Sequence, residues 1–209
     1  MVSEQMYELG TKKSTIRTIF EYGQKRAAEI GAENVFDFSL GNPNVPASDF
    51  IREAAVDILT NSDPIEVHGY TVAAGKPQVR EILAADLKRR FGMEVSGKNL
   101  FLTAGAAASV TITLKALAEE GDEFIAFAPF FPEYRVFVEA CGGIFIAVPA
   151  KTDDFQINFQ ALEAAVTPRT KAVIVNSPNN PSGAVYSEAV LRQLADLLCA
   201  KEREFGRPI

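Results

Sequence analysis

The sequence of 209 residues predicts an α/β fold built on a mostly parallel sheet. Three observations carry this expectation. Strand-like and helix-like segments alternate four times between residues 99 and 204, and repeated strand–helix units are the connection that parallel strands require. Phe124-Ile125-Ala126-Phe127 and Ala172-Val173-Ile174-Val175 are apolar at every position, the pattern of strands covered on both faces. The breaks that follow the strands are rich in Gly, Pro, Asn and Ser, which end regular structure and turn the chain.

Taken in order, residues 16–30 form a helix with Ile16, Ile19, Phe20, Ala27 and Ile30 on one face and Gly31 as its stop. Residues 35–40 alternate as a short strand, broken by Gly41-Asn42-Pro43. Ser48 caps a helix that carries Phe50, Ile51, Ala54, Ala55, Ile58 and Leu59 inward, and Asn61-Ser62-Asp63-Pro64 ends it. Pro77 suits the first turn of the next helix, with Val79, Ile82, Leu83, Leu87 and Phe91 as its inner face. The four strand–helix units follow. Strand 99–103 precedes helix 106–119, which Gly121 closes; strand 123–128 precedes helix 132–141; strand 144–148 precedes helix 159–166. Strand 171–176 precedes a helix running from the Ser187 cap to about residue 204.

Hydrophobic residues make up 47% and charged residues 23%, which supports a packed core and excludes a disordered or coiled-coil chain. The 21 basic and 27 acidic residues give a net charge of −6 with no basic block, which argues against nucleic acid or a membrane surface as partner. Cys141 and Cys199 form no paired motif and His68 is the single histidine, so neither a metal centre nor a disulfide framework is expected. His68 has no carboxylate or nucleophile at a diagnostic spacing and is read as a packing or surface residue. The first residues lack the apolar stretch of a secretion signal, and no apolar run is long enough to span a bilayer; a cytoplasmic protein is expected. The segment from Gly92 to Lys98 has the spacing of a nucleotide-phosphate loop. However, Asn99 stands where a hydroxyl would hold magnesium, and the segment precedes a strand instead of following one.

Ligands of open α/β sheets lie outside the carboxyl ends of the strands, so the loops there are the candidate site. Thr103-Ala104-Gly105-Ala106-Ala107-Ala108-Ser109 combines small residues with a helix start, whose free N–H groups suit a phosphate; tight packing of a small-residue helix under the sheet explains the same composition. Pro129-Phe130-Phe131-Pro132 places two aromatic rings where one can stack on a flat ligand, although core packing would use them as well. Asn176-Ser177-Pro178-Asn179-Asn180-Pro181-Ser182-Gly183 is richer in asparagine and proline than a spacer needs: the prolines hold the backbone, and a held amide can donate to one ligand atom and accept from another.

Asn179-Asn180-Pro181-Ser182-Gly183 after an apolar strand resembles the asparagine loop of class I/II aminotransferases, the fold type I pyridoxal-phosphate-dependent enzymes. Ser39-Leu40-Gly41-Asn42-Pro43 looks like that family's early glycine turn. Gly69-Tyr70-Thr71, Ala74-Gly75 and Pro77-Gln78-Val79-Arg80-Glu81 look like its Tyr…Gly…Leu-Arg-Glu segment. Thr103 to Ala107 resembles its phosphate loop, and Pro129 to Tyr134 its ring-stacking loop. The five pieces stand in the family's order between Val35 and Gly183.

The resemblance implies the three-layer large domain of that fold, incomplete at its C-terminal side, with residues 1–45 as an N-terminal arm and small-domain segment and residues 46–209 as the first half of the cofactor domain. It implies pyridoxal 5'-phosphate as cofactor, with Gly105, Ala106 and Ala107 giving backbone N–H groups to its phosphate and Phe131 stacking on its ring. Asn180 would bond the ring oxygen and the substrate carboxylate, Gly41 would lie beside that carboxylate, and Tyr70 would reach the phosphate in the neighbouring subunit of a homodimer. Ala106-Ala107 offers no side-chain hydroxyl or ammonium, where many relatives have one. The family's ring-nitrogen aspartate, Schiff-base lysine and carboxylate-binding arginine all come later than Asn180, where the only lysine is Lys201, inside a predicted helix. The expectation is therefore the N-terminal portion of an aminotransferase acting on an amino acid and a 2-oxo acid, inactive and poorly packed by itself. A C–S lyase or decarboxylase of the same fold and a non-catalytic phospho-ligand module are the alternatives.

Overall fold

The computed structural model describes residues 2–11, 15–41, 45–151 and 153–209. The chain forms two compact units, Met1–Tyr70 and Thr71–Ile209.

The first unit contains α1 (Glu4–Thr11), α2 (Thr15–Ile30), α3 (Asp49–Asn61) and α4 (Pro64–His68). Of these, α1 and α4 have no counterpart in the sequence reading, which took Pro64 as part of a helix end. Two caps set the later helix starts. The Ser48 hydroxyl accepts from the Phe50 N–H at 3.3 Å, and the Asp63 carboxylate accepts from the Ile65 N–H at 2.7 Å, with Pro64 at the first helical position. The expected strand at 35–40 is absent. Val35 is extended, but the segment pairs with no strand among the described residues. Instead Asp37 Oδ1 accepts from the Ser39 N–H at 2.8 Å, a local turn that competes with a ladder. The expected inward face of α3 is also corrected: Phe50, Ile51, Ile58 and Leu59 are exposed, and no residue of α2 or α3 is buried. Periodicity marks the apolar side of a helix; whether anything covers that side is decided elsewhere in the structure.

The second unit contains α5 (Pro77–Phe91), α6 (Ala106–Leu117), β1 (Glu123–Ala128), α7 (Glu133–Glu139), β2 (Ile144–Pro149), α8 (Phe159–Ala165), β3 (Thr170–Ile174) and α9 (Glu188–Phe205). The three strands form one parallel sheet in the order β2-β1-β3. Glu123 lies opposite Ile144 and Ala128 opposite Pro149, while Phe124 pairs with Ala172 and Ala126 with Ile174. The pleat sends alternate residues of β1 to opposite faces. Phe124 and Ala126 pack with Leu114 of α6 and Val138 of α7. Ile125 and Phe127 pack with Leu162 of α8 and Leu194 of α9. Helices thus cover the central strand on both faces, which is why its sequence does not alternate.

Of the four expected strand–helix units, the structure contains the last three. Residues 97–99 form a short 3-10 turn that takes the first residue of the expected strand 99–103; Leu100 is extended, but the segment pairs with no strand among the described residues. Among the described residues, its one backbone bond to a remote residue runs from the Leu102 N–H to the Ala74 carbonyl, at 3.1 Å. The inner face expected for α5 is corrected as well: Ala84 is its one buried residue among those described, and Val79, Ile82, Leu83 and Phe91 are exposed.

Candidate functional site

The site is built at the carboxyl edge of the sheet. The chain leaves β1 for β2 on one side and returns to β3 on the other, so the loops after β1 and β3 flank the point where strand order reverses. α6 brings a third piece to that edge. It packs against β1, and residues 118–122 link its end to the start of β1 through a tight turn, with the Asp122 N–H bonded to the Glu119 carbonyl at 3.1 Å. The helix therefore runs antiparallel to the strand. Its 12 residues span about 18 Å and the 6 residues of β1 about 20 Å, which puts the start of α6 level with the end of the strand.

Gly105 precedes α6 at φ 85° and ψ 167°, a conformation open to glycine, and a Cβ there would meet nothing within 4 Å. Its own N–H is engaged with the Thr103 carbonyl at 2.9 Å. Ala106 and Ala107, the first residues of the helix, are exposed, and their N–H groups bond no carbonyl among the described residues. These two donors and the positive end of the helix point outward. The hydroxyls of Thr103 and Ser109 bond each other across the loop at 2.6 Å. Sequence reasoning missed that pair, because it looked for hydroxyls only at positions 106 and 107.

In the loop after β1, the two phenylalanines separate. Phe130 turns into the core, 4.8 Å from the ring of Phe145. Phe131 is half-buried, and its ring and that of Tyr134 meet in a T-shaped pair with centroids 5.5 Å apart. Burial pushes the Tyr134 phenol up, so it stays protonated over the neutral range.

In the loop after β3, Asn180 is exposed and its backbone N–H is held by Asn176 Oδ1 at 2.7 Å, while its side-chain amide makes no hydrogen bond among the described residues. Asn179 behaves oppositely. It is 8% exposed, and its amide donates to the Pro129 carbonyl at 2.9 Å and to the Ser182 hydroxyl at 2.7 Å. The loops after β1 and β3 are thereby joined. Asparagine at this position was visible in the sequence; its bond to a residue 50 positions away was not.

Gly41 and Tyr70 belong to the other unit. Gly41 is exposed with open space around it, and the Tyr70 side chain is fully exposed; Asn42 and Pro43 lie outside the described residues. Among the described residues no cluster of His, Cys, Asp and Glu could hold a metal, and no helix is long and apolar enough to cross a membrane.

A parallel sheet covered on both faces by helices, with the loops that carry Phe131 and Asn180 joined at its carboxyl edge, defines an α/β protein of open-sheet type. The model of the family described as aminotransferase class I and II matches residues 33–203, and the chain belongs to that family. It is 34% identical over 166 residues to the aspartate/prephenate aminotransferase of Thermus thermophilus, covering 79% of this chain and 42% of that protein. It is 32% identical over 171 residues to an arginine–pyruvate transaminase of Pseudomonas aeruginosa, covering 81% of this chain and 42% of that protein. The crystal structure of an amino transferase from Eubacterium rectale matches with a TM-score of 0.96 at 49% identity, covering 100% of this chain and 53% of that one. The chain thus spans about half the length of these three proteins, or less.

Proposed function

We propose that this chain carries the phosphate- and ring-binding part of a pyridoxal-phosphate-dependent aminotransferase that moves an amino group between an amino acid and a 2-oxo acid. The observation that carries the reading is the joining of the Phe131 and Asn180 loops at the strand-order reversal, at the edge where the free N–H groups of α6 emerge. The residues fit the cofactor. Ala106 and Ala107 offer N–H donors to a phosphate beside a Gly105 turn that leaves the approach open. Phe131 offers a ring face, and Asn180 an amide that can donate to a ring oxygen or to a carboxylate. When bound, the cofactor supplies the electron sink that weakens bonds at the amino-acid α-carbon. The chain's own contribution is to bind the phosphate, orient the ring by stacking and hold the substrate carboxylate through Asn180.

Lys201 is the only lysine after Asn180, and its amine bonds Glu204 at 2.8 Å on α9; no lysine here is assigned to the cofactor aldehyde. Residues 1–45 are read as the arm and small-domain segment and residues 46–209 as the first half of the cofactor domain. The fully exposed Tyr70 is assigned to the phosphate of a neighbouring subunit in a homodimer, and the protein to the cytoplasm. The two relatives named above are about equally similar to this chain and carry different substrate names, so the particular amino acid is not assigned.

The test is pyridoxal phosphate binding by the chain, followed by equilibrium dialysis and by the circular dichroism induced in the cofactor's own absorbance band. Binding that is saturable, removed by dialysis and weakened by Phe131→Leu and Asn180→Ala is expected. A chain that binds no pyridoxal phosphate, or that binds it with the same affinity in both variants, would overturn the reading.

A further inference from the structure

Four polar or charged residues are buried among the described residues: Asp122, Glu123, Thr170 and Asn179. The first three lie at the amino edge of the sheet, at or beside the starts of β1 and β3. Only Asn179 is at the carboxyl edge. Its backbone is committed on both sides, with the N–H donating to the Ala184 carbonyl at 2.8 Å and the carbonyl accepting from the Gly183 N–H at 2.7 Å. Those bonds hold the loop on itself. The side-chain amide leaves the loop, and one of its two protons goes to the Pro129 carbonyl at 2.9 Å.

The chemistry of that contact is restrictive. Pro129 has no N–H, so the backbone of that residue can be tied only at its carbonyl, by a donor. The second proton of the amide goes to Ser182 Oγ, which itself accepts from the Ala184 N–H at 3.2 Å. A carboxylate at position 179 would have no proton for either acceptor, and a smaller hydroxyl would have one. Phe131 follows Pro129 by two residues, and Asn180 follows Asn179 directly. We propose that Asn179 is a positioning residue: its amide fixes the Phe131 loop against the Asn180 loop, so that stacking face and ring-oxygen donor meet one bound ring in a set relation. This rests on the cofactor reading above and adds a residue whose side chain, spent on the two loops, is not offered to the cofactor.

The experiment compares Asn179→Asp with Thr167→Val in the 209-residue chain. Thr167 bonds Glu123 at 2.5 Å at the opposite edge of the sheet, so its loss weakens the fold without touching the site. Three quantities are read: the dissociation constant for pyridoxal phosphate, the induced circular dichroism of bound cofactor, and the dissociation constant for inorganic phosphate by phosphorus NMR titration. Asn179→Asp is expected to weaken pyridoxal phosphate at least tenfold and to remove most of the induced signal, while inorganic phosphate binds within twofold of the parent. Thr167→Val is expected to lower the melting temperature and leave all three quantities within twofold. If Asn179→Asp gives no protected sheet amides in hydrogen exchange, Asn179→Ser, which keeps one donor, is read the same way. The inference is overturned if the Asn179 variant keeps the parent's affinity and induced signal, or if phosphate and cofactor binding fall together, as loss of the fold would produce. A parent chain that binds inorganic phosphate but not pyridoxal phosphate overturns the cofactor reading itself, and this inference with it.

Discussion

At the scale of single residues, two glycines separate backbone strain from steric conflict. Gly75 and Gly105 both have φ near 90°, at 92° and 85°. An added Cβ at Gly105 meets open space, whereas one at Gly75 would lie 2.6 Å from a methyl of Leu102 and 2.9 Å from its Cβ. Gly105→Ala carries only the left-handed penalty, about 1–2 kcal/mol. Gly75→Ala adds displacement of Leu102 and is expected to lose about 2–5 kcal/mol, the two costs summed. Urea denaturation of the two variants should rank them in that order. A second expectation concerns pH. Burial raises the phenol pKa of Tyr134 and of Tyr186 above the ordinary value of 10.0. A raised folded-state pKa contributes stability that is complete below the unfolded value and is lost as pH rises through the folded one. Stability should therefore fall on titration from pH ~9 upward through ~10, and the double variant Tyr134→Phe, Tyr186→Phe should fall less steeply over that window in thermal melts.

At the scale of elements, the sheet is tied at both edges, by different means. At the amino edge, buried Glu123 of β1 accepts from Arg169 through Nε at 3.2 Å and Nη2 at 2.7 Å, and from Thr167 Oγ1 at 2.5 Å. Asp122 beside it accepts from the Glu119 N–H at 3.0 Å, with Lys171 at 3.7 Å and Arg207 at 3.8 Å. Removing the cation leaves a buried carboxylate with a single hydroxyl partner. Because the Arg169 side chain is itself largely exposed, the full buried-pair penalty does not apply. Arg169→Ala should lose about 1–3 kcal/mol in urea denaturation. Glu123→Gln in the Arg169→Ala background should recover part of that loss by removing the unpaired charge, and a further loss would contradict the account. At the carboxyl edge the tie is neutral, through the Asn179 amide.

At the scale of the whole molecule, burial is uneven. Phe124, Ile125, Val138, Val148, Ile157 and Leu162 are almost wholly inaccessible, and all belong to the unit that holds the sheet. In the other unit α2 and α3 bury no residue, and Phe36 and Phe38 are 81% and 92% exposed. Local opening free energy follows buried apolar contact. Hydrogen exchange should therefore show protected amides in β1, β2 and β3 and fast exchange across α2 and α3, with strong binding of a hydrophobic dye. Uniform protection over both units would overturn this. The sequence reading expects a chain poorly packed by itself; in the structure the exposed apolar faces lie on particular helices, α2, α3 and α5, while the sheet has a buried core.

The sequence by itself determined the elements whose cause is local. The Ser48 and Ser187 caps, Pro77 at a first helical position and Gly31 at a helix end act through neighbouring residues. The apolar runs of β1 and β3 were legible too, because burial on both faces leaves no polar position. Tertiary structure alone decided the rest. Residues 35–40 and 99–103 read as strands from their composition, but a strand exists only where another chain segment completes its hydrogen bonds, and neither finds one among the described residues. The strand order β2-β1-β3 decided which loops would meet. The motif residues Gly105, Phe131 and Asn180 could be named from the sequence, since small, aromatic and amide side chains at strand ends have recognisable chemistry. That Asn179 binds the carbonyl of Pro129, 50 residues earlier, could not, because a hydrogen bond between distant segments leaves no periodicity in either of them.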